Sequence, residues 1–401
     1  MVTAIGYAYP WDFDGDPAAA ARAVDLGVDG IAVAAAYHTT RAATPMHPTR
    51  RTVTARHAAF YLPIRPAVWR GSPLVPAAPT WPGSFTAASS AVRARGLAVH
   101  AWTVLTHNSQ LGSRHGDLVV RNAYGEPYTY GLCPSHEVVR DYCATLVSEV
   151  VELGEPDGVV LEACGPLGID HAGHHDKVEF ADWTSVQRAL LSLCFCTGCL
   201  PRYRSAGVDP EELRARVRRL PSAASVSDAL GGLAAPVAEV RTTLAAELRD
   251  RLVGILRSAR VRATVHASAD PFASGAFATV AGHGAALPDT VVANCWWPDA
   301  EPALAALRTA TRPDIGLGGY FRPDTLPVEP MQLSDLVRRY LAAGMDELHL
   351  YHLGLVSGPQ SHRLADLAAV ARRSTSPTRR AATPYLGTGS GSHLQPHADR
   401  C

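Results

Sequence analysis

Pro156-Asp157-Gly158-Val159-Val160-Leu161-Glu162-Ala163-Cys164-Gly165 reads as one short strand with a turn before it and a carboxylate at its end. Asp157-Gly158 is a turn pair. Val159 to Leu161 form the unbroken apolar run that a strand buried on both faces shows, and Glu162 stands where that run meets a Gly-Pro loop. Similar β-branched or apolar runs occur at 3–9, 30–37, 97–105, 262–267, 290–296, 315–320 and 347–353, with alanine-rich segments of helical period between most of them. Eight strands alternating with helices predict a closed parallel sheet, the (β/α)8 TIM barrel.

The helix signals agree with that order. Asp16-Pro17 opens the first helix and Gly27 closes it; Leu333 or Ser334 opens the seventh and Gly344 closes it. Two connections are long. Residues 39–82, rich in proline and arginine with a hairpin expected at 52–62, follow the second strand, and 165–259, with two or three helices, follow the fourth. On a barrel both lie over the C-terminal face, where βα loops build sites. The barrel is expected to span 1–373, and 374–401, poor in apolar residues, reads as a disordered tail.

Composition narrows the function. The 401 residues are 47% hydrophobic and 18% charged with zero formal net charge, an ordinary globular balance. Of 37 basic residues one, Lys177, is a lysine, and it follows no Gly-rich turn. Schiff-base, pyridoxal and P-loop chemistries, each of which needs a placed ammonium, are thereby excluded. Without a basic tract the chain is no electrostatic nucleic-acid binder. The amino terminus lacks the features of a secretory signal and no apolar run is long enough for a membrane span, so a cytoplasmic protein without membrane partners is expected. Nothing in the sequence speaks to oligomeric state.

Glu162 is the leading chemical candidate. A carboxylate at the C-terminal end of a barrel strand is partly desolvated, so its protonation can be tuned for acid, base or nucleophile work. A salt bridge to a loop arginine is the plainer alternative.

At this point the chain resembles the large group of glycoside-hydrolase-like TIM barrels, whose fourth strand commonly reads as Asp-Gly, apolar residues and an acid. The resemblance extends to Ala36-Tyr37-His38 with Thr39-Thr40-Arg41, to Pro45-Met46-His47-Pro48-Thr49-Arg50-Arg51, to Asp170-His171-Ala172-Gly173-His174-His175-Asp176 and to Cys194-Phe195-Cys196-Thr197-Gly198-Cys199. It covers about the first half of the chain and the barrel pattern of the rest, and it implies a (β/α)8 fold and activity on a glycoside. The chain departs from retaining barrel glycosidases at the seventh strand, which ends Gly318-Gly319-Tyr320-Phe321-Arg322 without a carboxylate. A glycosidase needs two carboxyl groups. Asp270 after the fifth strand is the first choice for the second, with Asp12 after the first strand and Asp170 in the insertion as the others.

Polar and aromatic residues near strand ends suit a small carbohydrate: Tyr37, His38, Trp102, His107, His174, His266, Asn294, Trp296, Tyr320 and His352, with Tyr9, Trp297 and Tyr351 beside them. Core packing is the competing reading for any one of the aromatics. Asp170-His171-x-x-His174-His175-Asp176 could ligate a metal or order a loop around a substrate. Cys194-x-Cys196-x-x-Cys199 has the spacing of half a structural zinc site, its fourth ligand being Cys164, a histidine or absent; buried free thiols are the alternative. The expected activity is glycosyl hydrolysis or transfer by two carboxylates, with Glu162 as general acid/base and no cofactor required for the chemistry. Two further classes stay open. One is a divalent-metal sugar isomerase or hydrolase using His38, His107, Glu162, His266 and His349; the other is a barrel that binds carbohydrate without catalysis.

Overall fold

The computed structural model describes residues 2–169, 178–281, 284 and 286–375. Eight parallel strands close into a barrel: Thr3–Ala8, Gly30–Tyr37, Ala98–Val104, Gly158–Glu162, Arg262–Ser268, Thr290–Asn294, Gly316–Phe321 and Glu347–Leu350. Each pairs with its neighbours in chain order, and the first pairs with the eighth through Thr3 and Glu347, which closes the ring. The fold expectation is met, and the strand bounds agree with the sequence reading to within a few residues.

A helix follows the last strand, and six of the seven strand-to-strand connections also contain a helix that packs outside the barrel. The fifth does not: among the described residues of 269–289 there is no helix, and Ala278–Thr279 instead pairs with the end of the fifth strand. Among the described residues no helix is long and apolar enough to cross a membrane.

Several local expectations are corrected. The hairpin lies earlier than 52–62 and joins Thr40–Ala43 to Thr52–Ala55, while Ala59–Phe60 adds antiparallel to the end of the second strand. Its long turn is held by the His47 ring, whose Nδ1 accepts from the backbone N–H of Thr49 (3.2 Å) and Arg50 (3.1 Å), a link that strand propensity does not reveal. The first helix starts at Ala19, beyond Asp16-Pro17, because Asp16 instead caps a turn through Ala18 N–H. The seventh starts at Pro330, where proline at the first helical turn lacks only an N–H that would be unpaired there, and Gly344 (φ 97) ends it as expected. The last helix, Gly358–Thr375, includes positions 374 and 375 of the expected tail, and 376–401 lie outside the described residues.

The connection after the fourth strand holds more helices than expected: Ser185–Leu191, Cys199–Ser205, Pro210–Arg218 and Val226–Leu230 precede Ala234–Ser258, which returns along the barrel. Thr184 and Gln187 form a capping box at the first of these, and Asp209 caps the third at Glu211 N–H. A further excursion follows the third strand, with a helix Ser109–Arg114 and a hairpin Val119–Arg121/Pro127–Leu132. Val120, Tyr128 and Cys133 from that excursion bury with Leu190, Leu213 and Leu230 of the longer one in a second apolar core beside the main one.

The lumen is unusually polar. Positions two apart share a strand face, so His100 with Trp102, Val160 with Glu162, Thr264 with His266, and Glu347 with His349 point inward together. Space for them comes from glycine: a Cβ on Gly158 would lie 2.5 Å from His100 Nδ1, and one on Gly318 would lie 2.6 Å from His349 Cδ2. Gly318→Ala is therefore expected to cost about 1–3 kcal/mol in urea unfolding, the usual cost of overpacking a core; an unchanged midpoint would show that His349 has room to move.

Candidate active site

The mouth of the barrel opens into a cleft of ≈ 1050 Å³ lined by His38, His107, Tyr130, Asp270, Asn294 and Trp296, among others. The segment 267–277, where the helix is missing, makes one wall. His38 and His107 stack with ring centres 4.1 Å apart. Asp270 is exposed to the cleft, and its Oδ1 accepts from Phe272 N–H at 2.9 Å. Asn294 caps Trp296 N–H in the same way (3.0 Å). Trp296 is half-buried and Trp297 is 61% exposed, both in the loop just past the end of the sixth strand.

Glu162, 6% exposed, lies beneath the residues that line the cleft, near His38. The Trp102 indole N–H donates to its Oε2 at 2.7 Å, and His266 Nδ1 is 3.4 Å from the same oxygen, an ion-pair distance without hydrogen-bond alignment. Burial alone would raise the Glu162 carboxyl; His266, His38 and the Trp102 N–H together outweigh it and hold the group below the ordinary glutamic range. Glu162 is therefore an anion at neutral pH.

Ala163, the next residue, has φ 54, a strained conformation for a residue with a Cβ. It is held there by Ala163 N–H to the Ala276 carbonyl (3.0 Å) and by the Thr106 hydroxyl on its own carbonyl (2.9 Å). His352 at the end of the eighth strand is likewise left-handed (φ 41). Strain of this kind persists where surrounding bonds over-determine it, and two instances sit at this mouth.

The sequence-expected site residues separate into two layers. His38, His107, Asn294, Trp296 and Asp270 line the cleft. Tyr37, Trp102, His266, Tyr320 and His352 are buried beneath it, where Trp102 packs edge-on against Tyr37 (4.5 Å) and Tyr9 stacks on His352 (4.7 Å). Their ring faces are taken by one another, so they shape the floor. Three buried polar atoms of this aromatic group, Tyr320 OH, His352 Nδ1 and Trp296 Nε1, have no hydrogen-bond partner. Asp12 lines a different, small cavity with Asp16 and Arg22 behind the first strand. Asp170, His171, His174, His175, Asp176 and Lys177 lie outside the described residues. Sequence reasoning missed Tyr7, Glu347, Tyr130 and Phe277; the first two could have been found by carrying the inward-facing alternation down each strand.

The ligand-capable groups also resolve. His38, His107, Glu162, His266 and His349 form no metal-ligand group among the described residues, and His349 instead bonds Tyr7 (2.9 Å) deeper in the lumen. Four buried cysteines do meet: the sulfurs of Cys133, Cys194, Cys196 and Cys199 lie within 4.8 Å of one another and could bind a metal. The fourth member is Cys133, from the hairpin after the third strand, and neither Cys164 nor a histidine. Backbone N–H groups of Arg121 and Cys196 point at Cys194 Sγ, both at 3.4 Å, and Ser135 Oγ lies 3.3 Å from Cys196 Sγ. Contacts from Cys133, Cys194 and Cys199 push the Cys196 thiol far below its ordinary range, towards thiolate.

No known protein family matches the chain, and no curated protein does. Solved structures do. α-L-Fucosidase isoenzyme 2 from Paenibacillus thiaminolyticus is 15% identical over 93% of this chain, with a TM-score of 0.52; the chain spans about half of that protein, 49%. A β-N-acetylhexosaminidase from Bacteroides fragilis is 10% identical over 92% of this chain and 65% of its own, TM-score 0.45. D-Psicose 3-epimerase from Clostridium cellulolyticum is 6% identical over 93% and 99%, TM-score 0.39. The likeness to the fucosidase is one of barrel architecture.

Asp12 offers a check on this geometry. Burial pushes its carboxyl up to about 7, against one hydrogen bond from Tyr9 N–H. A carboxyl raised on folding binds its proton more tightly in the native state, so its contribution is complete below about pH 4 and is lost as pH rises through about 7. Asp12→Asn keeps an acceptor for Tyr9 but cannot ionise. Its stability relative to the parent protein is expected to improve between pH 4 and pH 8 by a few kcal/mol, roughly 4 at most, in denaturant titrations at the two pH values. A pH-independent difference would place Asp12 in contact with solvent.

Proposed function

We propose that the protein hydrolyses or transfers a glycosyl group, with Glu162 as the carboxylate that acts at the anomeric carbon. The observation that carries this reading is the buried, ionised Glu162 at the end of the fourth barrel strand, fixed by Trp102 and His266 beneath a polar and aromatic cleft. An anion in that position serves as base or nucleophile rather than as the acid. Asp270, on the wall of the same cleft, is then the group that protonates the leaving oxygen. His38, His107, Asn294 and Trp296 on the cleft wall supply the polar and aromatic partners that a sugar needs. Aromatic lining with a few placed polar groups is the usual make-up of a small-molecule site. The likeness of fold to a fucosidase agrees with a small carbohydrate or glycoside as substrate.

Glu162→Gln is expected to lower kcat by about 10²- to 10⁴-fold on a cleaved aryl glycoside while circular dichroism stays unchanged. Asp270→Asn is expected to abolish turnover of an alkyl glycoside yet spare much of that of a nitrophenyl glycoside, whose leaving group departs without a proton. Full activity of Glu162→Gln would overturn the assignment. Sugar binding by calorimetry with no product from any glycoside would favour a carbohydrate-binding barrel without catalysis.

We infer further that the cysteine cluster holds a structural zinc. Tetrahedral zinc with sulfur at about 2.3 Å puts its ligand sulfurs about 3.8 Å apart, and Cys133 and Cys199 already stand at 3.6 Å. The metal would tie the hairpin after the third strand to the insertion after the fourth. No step of glycosyl transfer passes through it. Seven described cysteines, all buried and unpaired, fit a reducing cytoplasmic setting. Elemental analysis is expected to find about one zinc per chain, lost in Cys133→Ser with a fall in Tm of several degrees; a metal-free protein of the same Tm would refute the site.

A further inference from the structure

Beneath Glu162 the lumen holds ionisable groups that no bound sugar could touch. Glu347, at the foot of the eighth strand, pairs with Arg262 and accepts from Thr290 Oγ1 at 3.2 Å. Its other oxygen is 3.4 Å from His349 Nε2. His349 Nδ1 is 2.9 Å from Tyr7 OH, and the same hydroxyl is 2.8 Å from His266 Nε2. His266 Nδ1 then faces Glu162 at 3.4 Å. Tyr7, His266 and His349 are at most 1% exposed. The line therefore runs from the floor of the cleft to a cavity of ≈ 160 Å³ at the opposite pole, lined by His100, Arg262, Glu347 and His349.

Two counts show what this line lacks. Three hydrogen bonds, His266 to Tyr7, Tyr7 to His349 and His349 to Glu347, take one proton each, and the fourth contact sets His266 Nδ1 against Glu162 at 3.4 Å, which is favourable only if that nitrogen is protonated. Two neutral imidazoles and a phenol supply three, because ionised carboxylates only accept. One contact would be left with two lone pairs facing each other in a site closed to water, at the cost of an unsatisfied buried polar group. Charge gives the same answer. Glu162 and Glu347 are two anions, and the single guanidinium, that of Arg262, pairs with Glu347 at the foot of the barrel, so the buried Glu162 charge is left uncompensated, which is strongly unfavourable.

We infer that His266, Tyr7 and His349 share one additional buried proton, a mobile cation that holds Glu162 ionised from beneath. With the cation on His266, that ring carries its Nδ1 proton at ion-pair distance from Glu162 and donates from Nε2 to the Tyr7 oxygen, while the Tyr7 hydroxyl donates to His349 Nδ1. Transfer of the His266 Nε2 proton to Tyr7, with the Tyr7 proton passing to His349 Nδ1, moves the cation to His349 and leaves Tyr7 a phenol. Both carboxylates stay ionised throughout, and no bond other than N–H and O–H changes. The remaining ionisable groups around the line are His38 near Glu162, Tyr320 and His352 beside His266, and His100 and Arg262 beside His349. Burial lowers His38, His352, His100 and also His349, and at His349 the hydrogen-bonded Glu347 carboxylate opposes it. Tyr7 and His349 are on this account positioning residues, acting on Glu162 through His266.

The test is nitrogen-15 NMR of the histidine rings across a pH titration of the whole protein. One imidazolium, assigned by its absence from a His266→Gln or His349→Gln spectrum, is expected to persist above pH 7.5, about one unit or more beyond an ordinary histidine. Tyr7→Phe, which cuts the link between the rings, and Glu347→Gln, which removes one anion, should each lower its midpoint by about one unit or more. Both rings neutral at pH 7 in the parent protein, or midpoints unmoved in both variants, would overturn the inference. The parent spectrum alone decides if the variants fold poorly. The link to catalysis rests on the reading of Glu162 proposed above, but the titration needs no turnover, so its failure leaves that reading standing. If both hold, Tyr7→Phe also moves the acid limb of the kcat profile to higher pH, because Glu162 loses part of its neighbouring positive charge.

Discussion

The carboxylate of Glu162, enclosed in the barrel and held by the Trp102 indole, is the charge around which the lumen is arranged. Trp102 can reach it because the third and fourth strands pair in parallel with Val104 opposite Glu162, so Trp102, two residues back on the same face, lies below and beside it. A barrel interior is ordinarily layered with Val, Ile and Leu. Once a carboxylate occupies the top layer, His266 must answer it, and Tyr7, His349, Glu347 and Arg262 follow in turn, each bonded to the next. Gly158 and Gly318 are the steric counterpart of this arrangement, since an aliphatic residue at either position would collide with His100 or His349.

Around the mouth, two excursions from the barrel act as one body. The hairpin after the third strand and the helices after the fourth share an apolar core, and the four cysteine sulfurs join them at one point. Tyr130 of that hairpin lines the cleft, with its hydroxyl on the Gly168 carbonyl (3.0 Å), and Ser185 and Ala189 of the insertion line it as well. The residues of that wall are thereby tied to a cluster of thiols that takes no part in the proposed chemistry. Asp270 and residues 272–277, from the connection after the fifth strand, also line the cleft.

Much of the barrel was legible because strand periodicity and β-branched runs are local signals. Residues 158–163 alone announced a buried strand ending in a carboxylate, and Glu162 stands there. What failed to show was set by contacts remote in sequence. Cys133 joins the cysteine cluster from 66 residues before Cys199, a distance at which spacing rules are silent. The sequence placed Trp102, Tyr320 and His352 near strand ends correctly, but not whether their rings would face the cleft or one another; that depends on how eight strand ends converge. The turn capped by His47 and the absent fifth helix are likewise outcomes of tertiary packing. By contrast, the polar line through the lumen was present in the period-two positions of the strands and needed only the barrel to be seen.

The most direct measurement of the central claim is a crystal structure with a bound monosaccharide or unreactive glycoside, taken from whichever sugar calorimetry shows to bind. The account predicts a sugar ring in the cleft beside Trp296, its anomeric carbon about 3–3.5 Å from a Glu162 oxygen and its leaving-group side towards Asp270. A sugar seated elsewhere on the molecule, or one in the cleft whose anomeric carbon is out of reach of Glu162, would contradict it.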